Sequence, residues 1–199
     1  MKTKIISFVL ALLMVLSLSS CGVSKADKEE IISAAKELIT ASYEINEIYF
    51  GKGLKTTGKE VLVHTEFEYV DETTGYSSIA VLKEATSKVY TEDYCNDYLY
   101  VMAFEGIKSS DDEESAISFP RFREDTKGRL CQIKSAKEDG ADLKRTYDFD
   151  SIKVESYVRG VATIKIMSLV EGKADETTGE ITLKLVKQAD GWRLDSPTY

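Results

Sequence analysis

Three times in its second half the chain sets two apolar-rich segments on either side of a short turn containing glycine. Residues 119–123 and 129–134 flank Lys127-Gly128, 152–158 and 161–170 flank Arg159-Gly160, and 180–187 and 192–195 flank Asp190-Gly191. Ile181, Leu183 and Leu185 alternate with Thr182, Lys184 and Val186, the period of a strand with one face on a core. Two such segments joined by a glycine turn can only pair antiparallel. The end of the chain is therefore expected to be antiparallel sheet, and whatever precedes it must supply the cover for that sheet's apolar face.

The first half supplies helices. Ile31, Ala35, Leu38, Ser42, Ile45 and Tyr49 recur at helical spacing, which predicts a long amphipathic helix over 28–49. Asp27 stands at the N-cap position with Glu30 as its capping-box partner, and Gly51 and Gly53 end the helix. Val61, Val63, Thr65, Phe67 and Tyr69 alternate with Leu62, His64, Glu66 and Glu68, which reads as one half-buried strand over 60–70. A turn over 71–75 leads to Ser77 or Ser78, either of which can cap a helix through about Val89. A further helix over 92–104 carries Tyr94, Tyr98, Val101 and Met102, and 108–118 reads as a polar loop. Asp-Glu-Thr-Thr-Gly occurs at 71–75 and again at 175–179, and turn chemistry explains both copies. The expected fold class is α+β: a long N-terminal helix packed on a curved antiparallel sheet.

The N-terminus carries an address. Lys2 and Lys4 precede a nearly unbroken apolar run from Ile5 to Leu18. Fourteen residues of helix rise about 21 Å, short of the roughly 30 Å hydrocarbon core, so a signal peptide fits better than a membrane span. Leu18-Ser19-Ser20-Cys21-Gly22 resembles the lipobox of bacterial lipoprotein precursors. The resemblance implies cleavage before Cys21 and a diacylglycerol on its thiol, which would hold the chain on the outer face of the cell membrane. The expected organisation is a signal peptide over 1–20, a lipidated tether over 21–26 and a single domain over 27–199. Without Lys2 and Lys4 the formal charge moves from −8 to −10. Such acidity argues against nucleic acid and against lying flat on an anionic membrane, and leaves a basic cell-envelope protein as a partner.

Element order, size and the closing Asp190-Gly191-Trp192-Arg193-Leu194-Asp195 segment resemble the nuclear-transport-factor-two-like and cystatin-like superfamily, which implies a cone of curled sheet around a helix. The strand over 60–70, placed before the second helical pair, departs from that order. A narrower similarity, carried by Ser77-Ser78-Ile79, Leu82-Lys83-Glu84, Val89-Tyr90-Thr91 and Gly128-Arg129-Leu130, is to the secreted inhibitors of cell-wall DL-endopeptidases. It implies a binding or inhibitory module for a peptidoglycan hydrolase. The superfamily resemblance implies an alternative, a small-ligand domain using the cone interior as a pocket.

No residue set has the spacing of a known catalytic or metal site, so neither an enzyme nor a cofactor is expected. His64, the only histidine, reads as a solvent-facing strand residue. Asp111, Asp112, Glu113 and Glu114 splay as consecutive carboxylates must, which suits a solvated loop or a contact for a basic partner. Tyr90, Tyr94 and Tyr98, at i, i+4 and i+8, form either core or a cleft wall, and Trp192 either core or the rim of the cone. Asp139, Asp142, Asp148 and Asp150 scatter around a loop with no basis for pairing two as acid and base. Cys95 and Cys131 are either a disulfide or two small buried side chains.

Overall fold

The structure is a computed structural model and describes residues 22–106, 119–137, 144–171 and 177–199. It is mixed helix and sheet, with a long N-terminal helix and antiparallel sheets. Helix α1 spans Lys25–Tyr49, three residues longer at its start than the sequence suggests. Its N-cap is Ser24, not Asp27. Ser24 has extended backbone angles, and its Oγ accepts from the Asp27 N–H at 3.1 Å and donates to the Asp27 carboxylate at 2.6 Å. Ser24 and Asp27 share the capping-box spacing that Asp27 and Glu30 also have, and Glu30 is drawn elsewhere: it accepts from Lys187 and from Trp192 Nε1 at 2.5 and 2.8 Å. The buried stripe of α1 includes Ile31, Ala35, Leu38, Ile39 and Ile45.

Two four-stranded antiparallel sheets stand where a single curved sheet is expected. The first contains β1 (Thr56–Val61), β2 (His64–Val70), β3 (Phe122–Glu124) and β4 (Leu130–Ile133), in the order β1-β2-β4-β3. The strand expected over 60–70 is thus two strands. Leu62 and Val63 form the hairpin tip between them and are 94% and 83% exposed. Apolar turn residues kept the alternation going through the tip, so periodicity alone could not locate the reversal.

The second sheet runs β5 (Lys144–Val158), β6 (Val161–Glu171), β7 (Thr177–Gln188) and β8 (Gly191–Leu194) in chain order. Arg159 and Gly160 join β5 to β6 with φ of 51° and 82°, the paired positive angles of a two-residue hairpin turn. The β7–β8 reversal lies at Ala189-Asp190, one residue earlier than expected, since Gln188 already pairs with Gly191. Strand β5 begins far earlier than Ile152, and Asp148 and Asp150 lie in it rather than in a loop. A bulge between Asp148 and Lys153 shifts the register there. Ser151 holds it by donating to Asp148 O at 2.6 Å and accepting from Met167 N at 2.8 Å. The bulge interrupts the alternation, which is why this half of the strand was illegible.

Between the sheets in sequence, Ser78 caps α2 (Ile79–Ser87) through its Oγ on the Val81 N–H. A short α3 (Glu92–Tyr94) then runs into a π-helix over Cys95–Glu105. The π-helix buries Cys95, Leu99 and Ala103, while Tyr98, Val101 and Met102, expected on the apolar side, are exposed. The wider i→i+5 winding rotates the inward face away from the one that 3.6 residues per turn projects.

The main core lies between α1 and the two sheets, filled by Ile31, Ile39, Tyr90, Ile164, Leu183 and Leu194 among others. A second, smaller cluster of Val61, Phe67 and Cys131 occupies the opposite face of the first sheet. Cys95 belongs to the main core and Cys131 to the small one; both are buried and unpaired. The chain end is locked by a buried polar knot. Tyr90 Oη lies 2.6 Å from Thr198 Oγ1 and donates to Asn46 at 2.9 Å, and Thr198 donates to Ser42 at 2.8 Å.

Candidate functional site

A cavity of about 650 Å³ opens over the end of the first sheet. Thr57 and Lys59 reach it from β1, Tyr69 and Val70 from β2, and Arg129 and Leu130 from the start of β4. The segment from Asp71 to Ser77 forms the remaining wall. That segment is shaped by its own side chains. Asp71 Oδ1 accepts from the Thr73 N–H at 2.9 Å and from its hydroxyl at 2.7 Å, and Oδ2 pairs with Lys55 at 3.1 Å. These contacts hold the Asp71 carboxyl down at about 2. Gly75, at φ 81°, turns the chain out of the short 3₁₀ turn over Glu72–Thr74.

Most of the wall's charge is already committed. Arg129 lies over the Tyr69 ring at 4.2 Å and donates through Nε and Nη2 to Asp125 at 2.9 and 2.6 Å. Asp125 also accepts from the backbone N–H of Lys127 and Arg129, and these hydrogen bonds with the guanidinium keep its carboxyl at about 2. Tyr76 donates to Glu44 at 2.8 Å, and burial and that carboxylate push its hydroxyl up to about 12. Among the described residues, Lys59 and Glu72 are the lining charges without an ion pair. The cavity thus offers an aromatic wall, hydroxyls from Thr57 and Ser77, and one uncommitted charge of each sign. It can hold a polar or zwitterionic group.

No protein-family model matches the sequence, and no curated protein does.

The residues singled out from the sequence fall elsewhere. Tyr94 is buried, stacked at 5.1 Å on Tyr90 and tilted at 5.1 Å against the exposed Tyr98. Trp192 is buried against α1 through Glu30 and packs at 5.6 Å against Tyr157. None of these three lines the cavity. His64 sits at the start of β2 with Nδ1 3.5 Å from Glu66. Cys21, Asp111, Asp112, Glu113, Glu114, Asp139 and Asp142 lie outside the described residues. Burial pushes the Cys95 thiol up to about 11 and raises that of Cys131, so both stay protonated and poorly nucleophilic near neutral pH. Among the described residues no cluster of histidine, cysteine and carboxylate side chains could hold a metal ion, and no helix is long and apolar enough to cross a membrane.

Sequence reasoning missed the cavity because its members come from three separate stretches of the chain, 57–59, 69–77 and 129–130. The local signals it had were the Asp-Glu-Thr-Thr-Gly turn over 71–75, legible as a turn but not as a wall, and the Asp-x-x-x-Arg spacing of Asp125 and Arg129 around a glycine turn.

Proposed function

We propose that the chain is a lipid-anchored extracytoplasmic module that binds a cell-envelope protein and restrains a peptidoglycan hydrolase without catalysing a reaction itself. The observation that carries this reading is the lipobox-like Leu18-Ser19-Ser20-Cys21-Gly22, followed after only two residues by the first residue of α1. A chain acylated there has its folded domain against the membrane, among the enzymes that remodel the wall. The finer fold reading, a cystatin-like cone, is supported by α1 lying on the inner face of β5–β8, whose opposite face carries Lys153, Lys165 and Glu180. The first sheet is an addition to that plan.

The space between α1 and β5–β8 is packed with fully buried side chains such as Ile31, Ile164 and Leu183. This favours a module that works through its surface over one that takes a ligand inside the cone. A second reading, a small-ligand domain, rests instead on the cavity over the first sheet, with Lys59 and Glu72 in no ion pair among the described residues.

The test is to add the mature chain carrying Cys21→Ser to DL-endopeptidases of the same organism and follow wall lysis. Slowed lysis with co-elution on gel filtration is expected. Full activity of every such enzyme, with no complex, removes the inhibitory reading. A Lys59→Ala, Glu72→Ala double variant that still inhibits assigns the contact to a surface other than the cavity.

A further inference from the structure

We infer that the end of the molecule formed by the first turns of α1 and the β5–β6 hairpin tip is a seat for the anionic phospholipid surface, and that it aims the cavity away from the bilayer. The inference rests on acylation of Cys21 as proposed above.

The tether is the first observation. Val23 packs against the main core, and α1 begins at Lys25. In sequence only Gly22 separates Cys21 from Val23, so the gap is spanned by two residues, a reach of about 7 Å. A domain on so short a leash cannot avoid the headgroup layer at the end where the leash attaches.

What stands at that end is the second observation. The Lys187 ammonium and Trp192 indole both bond Glu30, in the second turn of α1, and Lys187 N donates to Gly160 O at 2.7 Å. Tyr157 packs on Trp192. The β5–β6 tip is therefore tied beside the start of the helix. It presents Val158, an apolar side chain 60% exposed, next to the exposed Arg159. Lys25, Lys28, Arg159 and Lys187 gather there with Asp27, Glu29 and Glu30, and Asp190 is matched by Arg193 at 2.6 Å. This end escapes the acidity of the chain as a whole. Exposed Lys28 and Arg159 form no ion pair among the described residues, which suits them to phosphate, while Val158 can enter the interface.

The far end follows from the helix. Twenty-five residues carry α1 about 37 Å from its start. The first sheet is fastened at its finish: Gln132 accepts from the Leu54 N–H and Arg121 donates to Ile48 O at 2.8 Å. The cavity over that sheet thus faces the wall side, out of reach of lipid.

The test uses the acylated full-length product in phosphatidylglycerol-containing vesicles with brominated acyl chains. Tryptophan is placed at either exposed tip, Val158→Trp or Leu62→Trp, with Trp192 common to both. Quenching at least about threefold stronger at 158 than at 62 is expected, since an interfacial seat reaches about 5–10 Å into the headgroup boundary and the far tip does not. Hydrogen exchange on the unmodified chain gives the same contrast without substitution: vesicles slow amides at 158–161 and leave 61–64 unchanged. Flotation of the chain with vesicles while 158 and 62 behave alike, or in reverse, overturns the seat and leaves the anchor standing. A chain with an unmodified Cys21 thiol that fails to float overturns the anchor, and the seat with it.

Discussion

The two sheets of this protein are stabilised by different physics. In β5–β8 the first three strands are long, and one face is a continuous apolar surface against α1, with Ala162, Ile164, Ile166, Leu183 and Leu185 almost wholly buried. The sheet holds its register because a one-residue slip would put that face in water. In β1–β4 the strands have three to seven residues, and their apolar side chains divide between both faces: Val70 and Leu130 toward the main core, Phe67 and Cys131 toward the small cluster. Too little apolar area lies on either face to fix the arrangement. Polar side chains reaching backbone groups do it instead. Gln132 bonds Leu54 N and Lys52 O, Arg121 bonds Ile48 O and Gly51 O, and Glu124 accepts from the Ile79 N–H. The sheet built on area is rigid scaffold; the sheet built on specific hydrogen bonds carries the cavity.

The contrast breaks most visibly in the core of β5–β8. Leu183 is 1% exposed in the centre of β7, and Leu183→Ala should cost about 2–5 kcal/mol by urea denaturation. Both sheets should then unfold together, because α1 is their shared support. A loss below about 1 kcal/mol would mean that the face tolerates a cavity, and that area is not what holds it.

The corresponding experiment in the first sheet is polar. Gln132 is fully buried, and its side-chain amide satisfies two groups of the connection after α1. Gly53 has φ 79° there, and a Cβ would run into that amide, so the connection has shaped itself to the glutamine. Gln132→Ala leaves the Leu54 N–H buried without a partner, at about 1–3 kcal/mol. Amides of β2 and β4 should exchange faster while those of β6 and β7 keep their protection. Equal loss of protection in both sheets would show that they are a single cooperative unit.

The same contrast explains what the sequence could and could not reveal. The β6–β7–β8 segments were legible because their period of two follows directly from one-sided burial, and α1 was legible from the spacing of Ile31, Ala35 and Leu38. Residues in β1–β4 obey partners far away in the chain, such as Leu54 with Gln132 or Ile79 with Glu124, and no local pattern announces them. The reversal at Leu62-Val63 carried no glycine, asparagine or aspartate to mark it. The cavity inherits this, since its walls come from three separated stretches, 57–59, 69–77 and 129–130.

Acid should separate the sheets more gently. The hydrogen bonds to Asp71 and Asp125 shape the cavity wall and the β3–β4 turn, and both carboxyls are held at about 2. A folded-state value below the ordinary 3.8 means that the stabilisation is complete above about 4 and is lost as pH falls through 2. Between those limits, exchange at 71–77 and 125–130 should rise while β6 and β7 remain protected. A uniform loss across the chain would place the acid-sensitive contacts elsewhere.

The smallest effect should come from the solvent face of β5–β8, where charge is abundant but exposed. Lys165 lies 3.4 Å from Glu180 and 4.0 Å from Glu155, and Lys153 lies 3.5 Å from Glu180. Every one of these side chains is more than a third exposed. Water and salt screen such pairs, and holding long side chains in place offsets the attraction. Lys165→Ala should therefore change stability by less than about 0.5 kcal/mol, with little dependence on ionic strength. A cost above about 1.5 kcal/mol would mean that the outer face contributes as a network. The sheet would then be held from both sides, and the distinction between its area and the first sheet's hydrogen bonds would narrow.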